Sequence, residues 1–293
     1  MFSIVIPAYN EGGVIAITVF DIQKVLSLNN IEGAEIIVVD DGSTDKTSEM
    51  STKSGAITIS HPHNIGYGRS LKDGIQAASH DTIIITDADG TYPLEMIPVL
   101  AHEFDKGFNM VVGARQGENY DESFKKKVLR LILKKLVEFT AGRSIPDINS
   151  GLRVFSKKEI LPYFSKLCDT FSFTTSLTLA YMMNGKFVKY IPIDYKKREG
   201  KTKVRLFRDS MRTLQFIVEA ILFYNPIKIF IVFSGGLLAL AGINFLLSFV
   251  FHRPFTFYFG LGCVILSILM FGLGLLSVQL KHIMSSNEPK TSK

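Results

Sequence analysis

Short apolar runs recur through the first 113 positions, at residues 2–6, 35–39, 56–60, 82–85 and 109–113. Each gives way abruptly to loop-forming or charged residues. The runs are rich in Ile and Val, which predicts strands buried on both faces of a sheet. Helical spacing fills the gaps, over about 13–29, 46–54, 69–79 and 92–106. Further on, helices are predicted over 121–142 and 169–184, a return to strand near 153–155, and a late strand at 187–193. That strand belongs at a sheet edge, because Pro192 cannot donate to a ladder. Strands alternating with helices predict an α/β fold with a mostly parallel sheet and helices on both faces.

The pattern then changes. Residues 195–205 are polar and basic, and 205–224 carry Arg205, Arg208 and Arg212 beside a broad apolar face. Such a helix suits the headgroup region of a bilayer. After Asn225-Pro226, residues 227–250 and 255–280 are apolar and long enough to cross a membrane, with only a short link between them. The expected division is a domain over 1–204, an interfacial helix over 205–225, a transmembrane hairpin over 226–281 and a tail over 282–293. Basic residues crowd the chain before the first span and recur as Lys281, Lys290 and Lys293 after the second. The positive-inside rule therefore places the large domain and the tail in the cytoplasm, with Arg253 in the outer turn running mildly against it. Glycines 235, 236, 242, 260, 262, 272 and 274 permit close helix contacts, including those of a homo-oligomer. Residues 1–7 lack the basic lead and long apolar core of a secretory signal.

Composition adjusts this picture in three ways. Mean hydropathy is +0.23, high for a soluble protein, and the excess lies in the two long runs. Net charge is +6, with Lys and Arg clustered around 125–135 and 186–212. Such clusters favour an anionic partner: lipid headgroups, a diphosphate or nucleic acid. The two cysteines, Cys168 and Cys263, are isolated and offer neither a disulfide framework nor a zinc spacing.

The candidate chemistry lies where strands end. Asp87 and Asp89 follow the run at 82–85, at the end of a strand where open α/β sheets bind ligands. They offer hard oxygen ligands for Mg²⁺ or Mn²⁺, or else simply close a turn. Asp40 and Asp41 end the second run, and a carboxylate there can accept from a nucleobase or ribose. Ser43, Thr44 or Asp45 then caps the next helix, and Asn10 caps the first helix or belongs to a nucleotide-contacting loop. His61 and His63 lack a third ligand and read as loop residues. Gly66-Tyr67-Gly68 lacks the third glycine of a dinucleotide fingerprint. Asp147 and Arg153 flank a turn-rich stretch and are close enough in sequence to pair with each other.

Taken together, VIPAYNE at 5–11, DDGSTD at 40–45, NIGYGRS at 64–70, DADG at 87–90, VGAR at 112–115, DINSGLRVF at 147–155 and REGKTK at 198–203 resemble a family. They are similar to the family 2 glycosyltransferases of GT-A fold, in the dolichyl-phosphate mannosyltransferase and bactoprenyl-phosphate glucosyltransferase group. The resemblance spans about residues 2–205, and the two apolar runs match its membrane-anchored members. It implies a Rossmann-like GT-A domain followed by a transmembrane hairpin. It also implies inverting transfer of a sugar from a UDP- or GDP-sugar to undecaprenyl or dolichyl phosphate. By the same resemblance, Pro7, Tyr9, Glu11 and Asp40 contact the base and ribose, and Asp87 and Asp89 hold Mg²⁺ or Mn²⁺ against the diphosphate. Arg115, Arg130 and Arg198 bind the acceptor phosphate or the donor diphosphate, and Asp147 and Arg153 shape the sugar pocket and the acceptor end. The family often has Gln two residues beyond the second Asp, where this chain has Thr91.

Three rivals are weighed against this expectation. Processive polysaccharide synthases of the same superfamily usually carry a Gln-X-X-Arg-Trp motif, and this chain has no Trp. An inactive, transferase-like membrane scaffold is disfavoured by the intact Asp40, Asp87 and Asp89. A nucleic-acid binder rests on charge alone, with no recognisable module.

Overall fold

A computed structural model describes residues 1–116, 124–196 and 206–286. One compact unit covers Met1–Phe216 and a second covers Ile217–Lys293. In chain order the elements are β1 (Phe2–Ala8), α1 (Ile15–Leu28), β2 (Glu35–Asp40), α2 (Thr47–Lys53), β3 (Ile57–Ser60), α3 (Tyr67–Ala77) and β4 (Thr82–Ile85). Then come α4 (Ile97–Phe104), β5 (Met110–Gln116), α5 (Phe124–Ala141), β6 (Arg153–Ser156), α6 (Lys157–Ile160), α7 (Phe173–Met183) and β7 (Val188–Asp194). The remaining helices are α8 (Leu206–Tyr224), α9 (Ile227–Phe251) and α10 (Pro254–Ser286).

The seven strands form one sheet in the order β3-β2-β1-β4-β6-β5-β7. All neighbours are parallel except β6, which runs antiparallel to both β4 and β5. The mostly parallel α/β architecture is therefore as expected, and β7 does lie at an edge. Strand periodicity divides the core into two layers. Ile4, Ile6, Ile36, Val38, Ile84 and Val111 pack on one face with Ile15, Val19 and Ile22 of α1 and Ile97 and Leu100 of α4. Val5, Ile37, Val39, Ile83, Ile85 and Val112 pack on the other with Leu71 and Ile75 of α3 and Phe173 and Leu177 of α7. Both faces are covered, which is why the strands read as unbroken apolar runs.

In the second unit, α9 and α10 are each long and apolar enough to cross a membrane. At 1.5 Å per residue, the 25 residues of α9 span about 37 Å, against about 30 Å of bilayer hydrocarbon. Few of their residues are buried within the protein, unlike the core helix of a soluble fold. α9 stops where His252 adopts a left-handed conformation, φ 49°, and α10 starts two residues later. The Arg253 carbonyl accepts from Ser248 Oγ at 3.1 Å and Thr256 Oγ1 at 2.7 Å, closing the link. Between the two helices, Ser234 Oγ and Ser267 Oγ lie 2.7 Å apart, and the hydroxyls donate to each other's main-chain carbonyls at 3.2 and 3.0 Å. Of the glycines, Gly260 abuts Phe245 and Gly274 abuts Phe230 within the hairpin.

Candidate active site

The carboxyl ends of β1, β2, β3 and β4 share one edge of the sheet. β4 and β5 are both antiparallel to β6, so the end of β5 and the entry to β6 meet at that edge too. The chain leaves β1 toward β2 on one side, while β4 flanks β1 on the other. This topological switch point is where open α/β sheets bind ligands.

On one side of the switch point, two loops are stitched together. Asn10, held at φ 51°, donates its N–H to Ser43 Oγ at 2.8 Å, and its Oδ1 accepts from the Thr44 N–H at 2.9 Å. Glu11 N–H donates to Thr47 Oγ1 at 2.8 Å and Gly12 N–H to Asp45 Oδ2 at 3.0 Å. Asn10 therefore does not cap α1, whose N-cap position is held by Val14, with no side-chain acceptor. Ser43 and Thr44 do not cap α2 either, because both are engaged by Asn10. Asp45 does so, accepting from Thr47 N–H at 3.0 Å and from the Thr47 hydroxyl. Tyr9 and Glu11 are half-buried here. Pro7 is buried within β1 opposite Val39, at the strand's exit. Asp40 is 4% exposed, and its Oδ1 accepts from Ser43 N–H at 3.1 Å. Its neighbour Asp41 accepts from the N–H groups of Ile65 and Gly66 at 3.0 and 2.9 Å, and its Oδ1 lies 3.0 Å from His61 Nδ1. His61 is thus a loop anchor, as its sequence context implies.

On the other side stand Asp87 and Asp89. Asp87 Oδ1 accepts from the Tyr67 hydroxyl at 2.9 Å, and both carboxylates are half-buried. Asp89 Oδ1 accepts from Thr91 N–H at 3.2 Å and Thr91 Oγ1 at 2.6 Å. Thr91 is fully buried and orients the carboxylate from behind, a different task from the one expected of the family's Gln. Gly151 closes the wall: a Cβ there would come within 2.7 and 2.9 Å of the Asp87 oxygens. Its N–H donates to the buried Tyr92 hydroxyl at 2.6 Å. Burial, reinforced by Asp87, pushes the Tyr67 phenol well above its ordinary range, so it remains a donor.

These carboxylates fit a divalent cation. Among the described residues no group of three His, Cys, Asp or Glu gathers for a metal, and Asp87 and Asp89 are the carboxylates at this edge that would hold one. That suits Mg²⁺ or Mn²⁺ held by one or two carboxylates together with substrate phosphates. Hydroxyl donors behind ligating carboxylates are the usual outer support of such sites.

Arg115 lies at the end of β5 and forms a forked pair with Asp147. Nε donates to Oδ2 at 2.7 Å and Nη2 to Oδ1 at 3.0 Å. The main-chain N–H groups of Arg115 and Asn149 also donate to Asp147, at 3.2 and 3.0 Å. Burial acts to raise the Asp147 pKa, but the Arg115 charge and these hydrogen bonds outweigh it and leave the pKa lowered. Asp147 is therefore a fixed anion that positions Arg115. The guanidinium lies 5.4 Å from the Tyr195 ring, which meets Tyr92 edge-on at 5.3 Å.

Arg153 corrects one expectation: it does not pair with Asp147, which Arg115 engages instead. Its side chain is fully buried, donating to Ser150 O at 2.7 Å, Ile148 O at 2.9 Å and Thr178 Oγ1 at 2.8 Å. These bonds pin the 147–151 loop from beneath, so Arg153 acts on the site through Asp147 and Gly151. Arg198 lies outside the described residues, and so does the side chain of Arg130. Sequence reasoning does not single out Tyr67, Tyr92, Gly151 or Tyr195 as site residues, and it reaches Thr91 only as a departure from the family's Gln. For Tyr67 the available signal is an aromatic between two glycines at a helix start. For Tyr195 it is an aromatic at the head of the basic segment.

A family model described as "Glycosyl transferase family 2" matches residues 3–161. A dolichyl-phosphate hexose transferase of Haloferax volcanii is 26% identical over 221 residues, covering 75% of this chain and 93% of the relative. An undecaprenyl-phosphate 4-deoxy-4-formamido-L-arabinose transferase of Salmonella choleraesuis is 26% identical over 250 residues, covering 83% and 73%. Among solved structures, glucosyl-3-phosphoglycerate synthase of Mycobacterium tuberculosis, with Mn²⁺, UDP and glucosyl-3-phosphoglycerate, superposes with a TM-score of 0.59. It is 20% identical, and the match covers 75% of this chain and 79% of that one. The architecture is that of a GT-A domain.

Proposed function

The chain belongs to glycosyl transferase family 2, and from that premise we propose that it transfers a sugar from a UDP- or GDP-sugar to a polyprenyl monophosphate, undecaprenyl or dolichyl phosphate, in a membrane. The observation that carries this reading is the pair Asp87 and Asp89, each held by a buried or half-buried hydroxyl at the switch point, in a chain with two membrane-length apolar helices. The named activities of the Haloferax and Salmonella relatives support the choice of a lipid phosphate as acceptor.

Asp87 and Asp89 would hold Mg²⁺ or Mn²⁺, which when bound supplies positive charge to the leaving nucleoside diphosphate. The stitched loops carrying Tyr9, Glu11 and Asp40 would receive the nucleoside. Arg115, held in place by Asp147 and Tyr195, would face the anionic groups of donor or acceptor. An acceptor phosphate oxygen is already anionic at neutral pH, so its attack on the anomeric carbon needs no proton removed by the protein. That matches Asp147, whose lowered pKa and ion pair make it a poor base. In-line attack would invert the anomeric configuration. The hairpin would anchor the chain, with the transferase unit and the C-terminus on the cytoplasmic side.

The test is to incubate membranes containing the protein with radiolabelled UDP- and GDP-sugars, polyprenyl phosphate and Mn²⁺, then count label in the organic phase. Label from one donor, lost with EDTA and lost in Asp89→Ala with folding intact, supports the reading. No label from any donor with folded protein overturns the acceptor assignment. Substantial residual transfer by Asp89→Ala overturns the metal assignment.

A further inference from the structure

The start of α3 explains how the hydroxyl that meets Asp87 is held. Tyr67 opens α3, and its main chain is fixed from both sides. Before it, Asp41 binds the N–H groups of Ile65 and Gly66. After it, the Arg69 N–H donates to the Asp169 carbonyl at 3.0 Å, and Lys72 Nζ lies 2.6 Å from both Leu167 O and Asp169 Oδ1. Gly66 has φ 121°, and a Cβ there would come within 2.5 Å of the Asp169 carbonyl, so only glycine lets the two loops meet this closely. The ring is gripped as well: Phe171 stacks on Tyr67 with centroids 5.6 Å apart and planes at 14°. Phe171 is itself 44% exposed, so it sits at the surface as a cover for the Tyr67 ring.

All these constraints end at one atom. The Tyr67 hydroxyl donates to Asp87 Oδ1 at 2.9 Å. A tyrosine clamped at its backbone and on its ring face has little freedom to point its hydroxyl elsewhere, which makes it a good orienter for a carboxylate. We propose that Tyr67 is the positioning residue for Asp87, fixing the carboxylate for a divalent cation, with Phe171 holding the ring in place. The inference rests on the metal-binding reading of Asp87 given above. Through Asp41 it also ties the loop after β2 to the cation-binding carboxylate, so the two halves of the donor site share one rigid connection.

The experiment titrates Mn²⁺ into the full chain in detergent, with and without UDP, and follows loss of the free-ion signal by electron paramagnetic resonance. Tyr67→Phe keeps the ring stack and removes only the hydroxyl. The expected result is Mn²⁺ affinity weakened about tenfold or more, with an unchanged circular-dichroism melting curve. Phe171→Ala is expected to weaken Mn²⁺ in the same direction by less. In the double variant Tyr67→Phe/Asp87→Asn, loss of the tyrosine hydroxyl should add nothing to the effect of Asp87→Asn. Unchanged or tighter Mn²⁺ binding by Tyr67→Phe overturns the inference, as do additive effects in the double variant. The two readings fail separately. Absent sugar transfer alongside a weakened Tyr67→Phe ion affinity sinks the lipid-linked activity alone, whereas normal transfer with unaltered ion affinity sinks the role of Tyr67 alone.

Discussion

Replacing Arg115 by Ala should unsettle the site from within, by stranding Asp147. The side chain of Asp147 is 2% exposed and that of Arg115 is 13% exposed, so the pair is mostly shielded from water. Removing one member of a buried ion pair costs about 3–5 kcal/mol, because the remaining charge has no equivalent partner. Two features set the lower end for Arg115→Ala. Asp147 keeps its two main-chain donors, the N–H at position 115 and that of Asn149, and the Arg115 side chain that is removed is itself partly exposed. The expected loss is then about 3 kcal/mol, which for a unit of this size lowers the melting temperature by about 6–12 °C. With no Trp in the chain, the melt is best followed by far-ultraviolet circular dichroism of detergent-solubilised protein. Asp147→Ala alone should be comparably damaging, and the double variant clearly less damaging than the sum. A melting point for Arg115→Ala within about 2 °C of the parent, or strictly additive losses, would refute the argument that these residues act as one unit.

Three further outcomes follow from the same geometry. Gly151→Ala should push Asp87 aside, since the new Cβ would lie 2.7 Å from its Oδ1, and cut kcat/KM about tenfold or more with most of the fold retained; parent-like steady-state kinetics would show that Asp87 has room to spare. Asp147 has a depressed folded-state pKa, so its stabilisation is complete above the unfolded carboxyl value of about 4 and is lost as pH falls through the lower folded value. Melting curves of the parent should therefore fall more steeply below about pH 4 than those of Asp147→Asn, and parallel curves would count against the assignment. Ser234→Val/Ser267→Val removes a hydroxyl pair whose two main-chain acceptors remain satisfied within their helices, so the hairpin should stay folded but lose its fixed register. Cross-linking between cysteines placed across α9 and α10 should become less selective, and unchanged selectivity would assign the register to packing alone.

The strand ends are legible in the sequence because both faces of the sheet are covered. β1, β2 and β4 are largely apolar runs, and a carboxylate following such a run falls at the edge. The order of strands is not legible. β6 enters between β4 and β5 running the other way, which brings Asp147 to Arg115 across 32 positions of chain. Asp147 and Arg153, six positions apart, read as the natural pair. They are separated because β6 turns Arg153 inward toward α7 while Asp147 stays at the edge. Capping misleads for a related reason: Asn10, Ser43 and Thr44 are good cap residues in isolation, yet each finds its partner in the neighbouring loop. Tyr67 and Tyr195 carry no local sign of their contacts, since their partners are distant in sequence: Asp87 and Phe171 for one, Tyr92 and Arg115 for the other.

The hydroxyls of Ser234 and Ser267 each donate across the seam to the other helix's main chain. In a hydrocarbon surrounding, sliding one helix by a single turn would leave both groups facing alkyl chains with nothing to meet across the seam. The two helices thus have one preferred alignment, set where the two serines meet and closed at the end by the turn through His252. Together they behave less like two separate threads through the bilayer than like a single folded pin. Such a pin would enter, tilt and diffuse as one body.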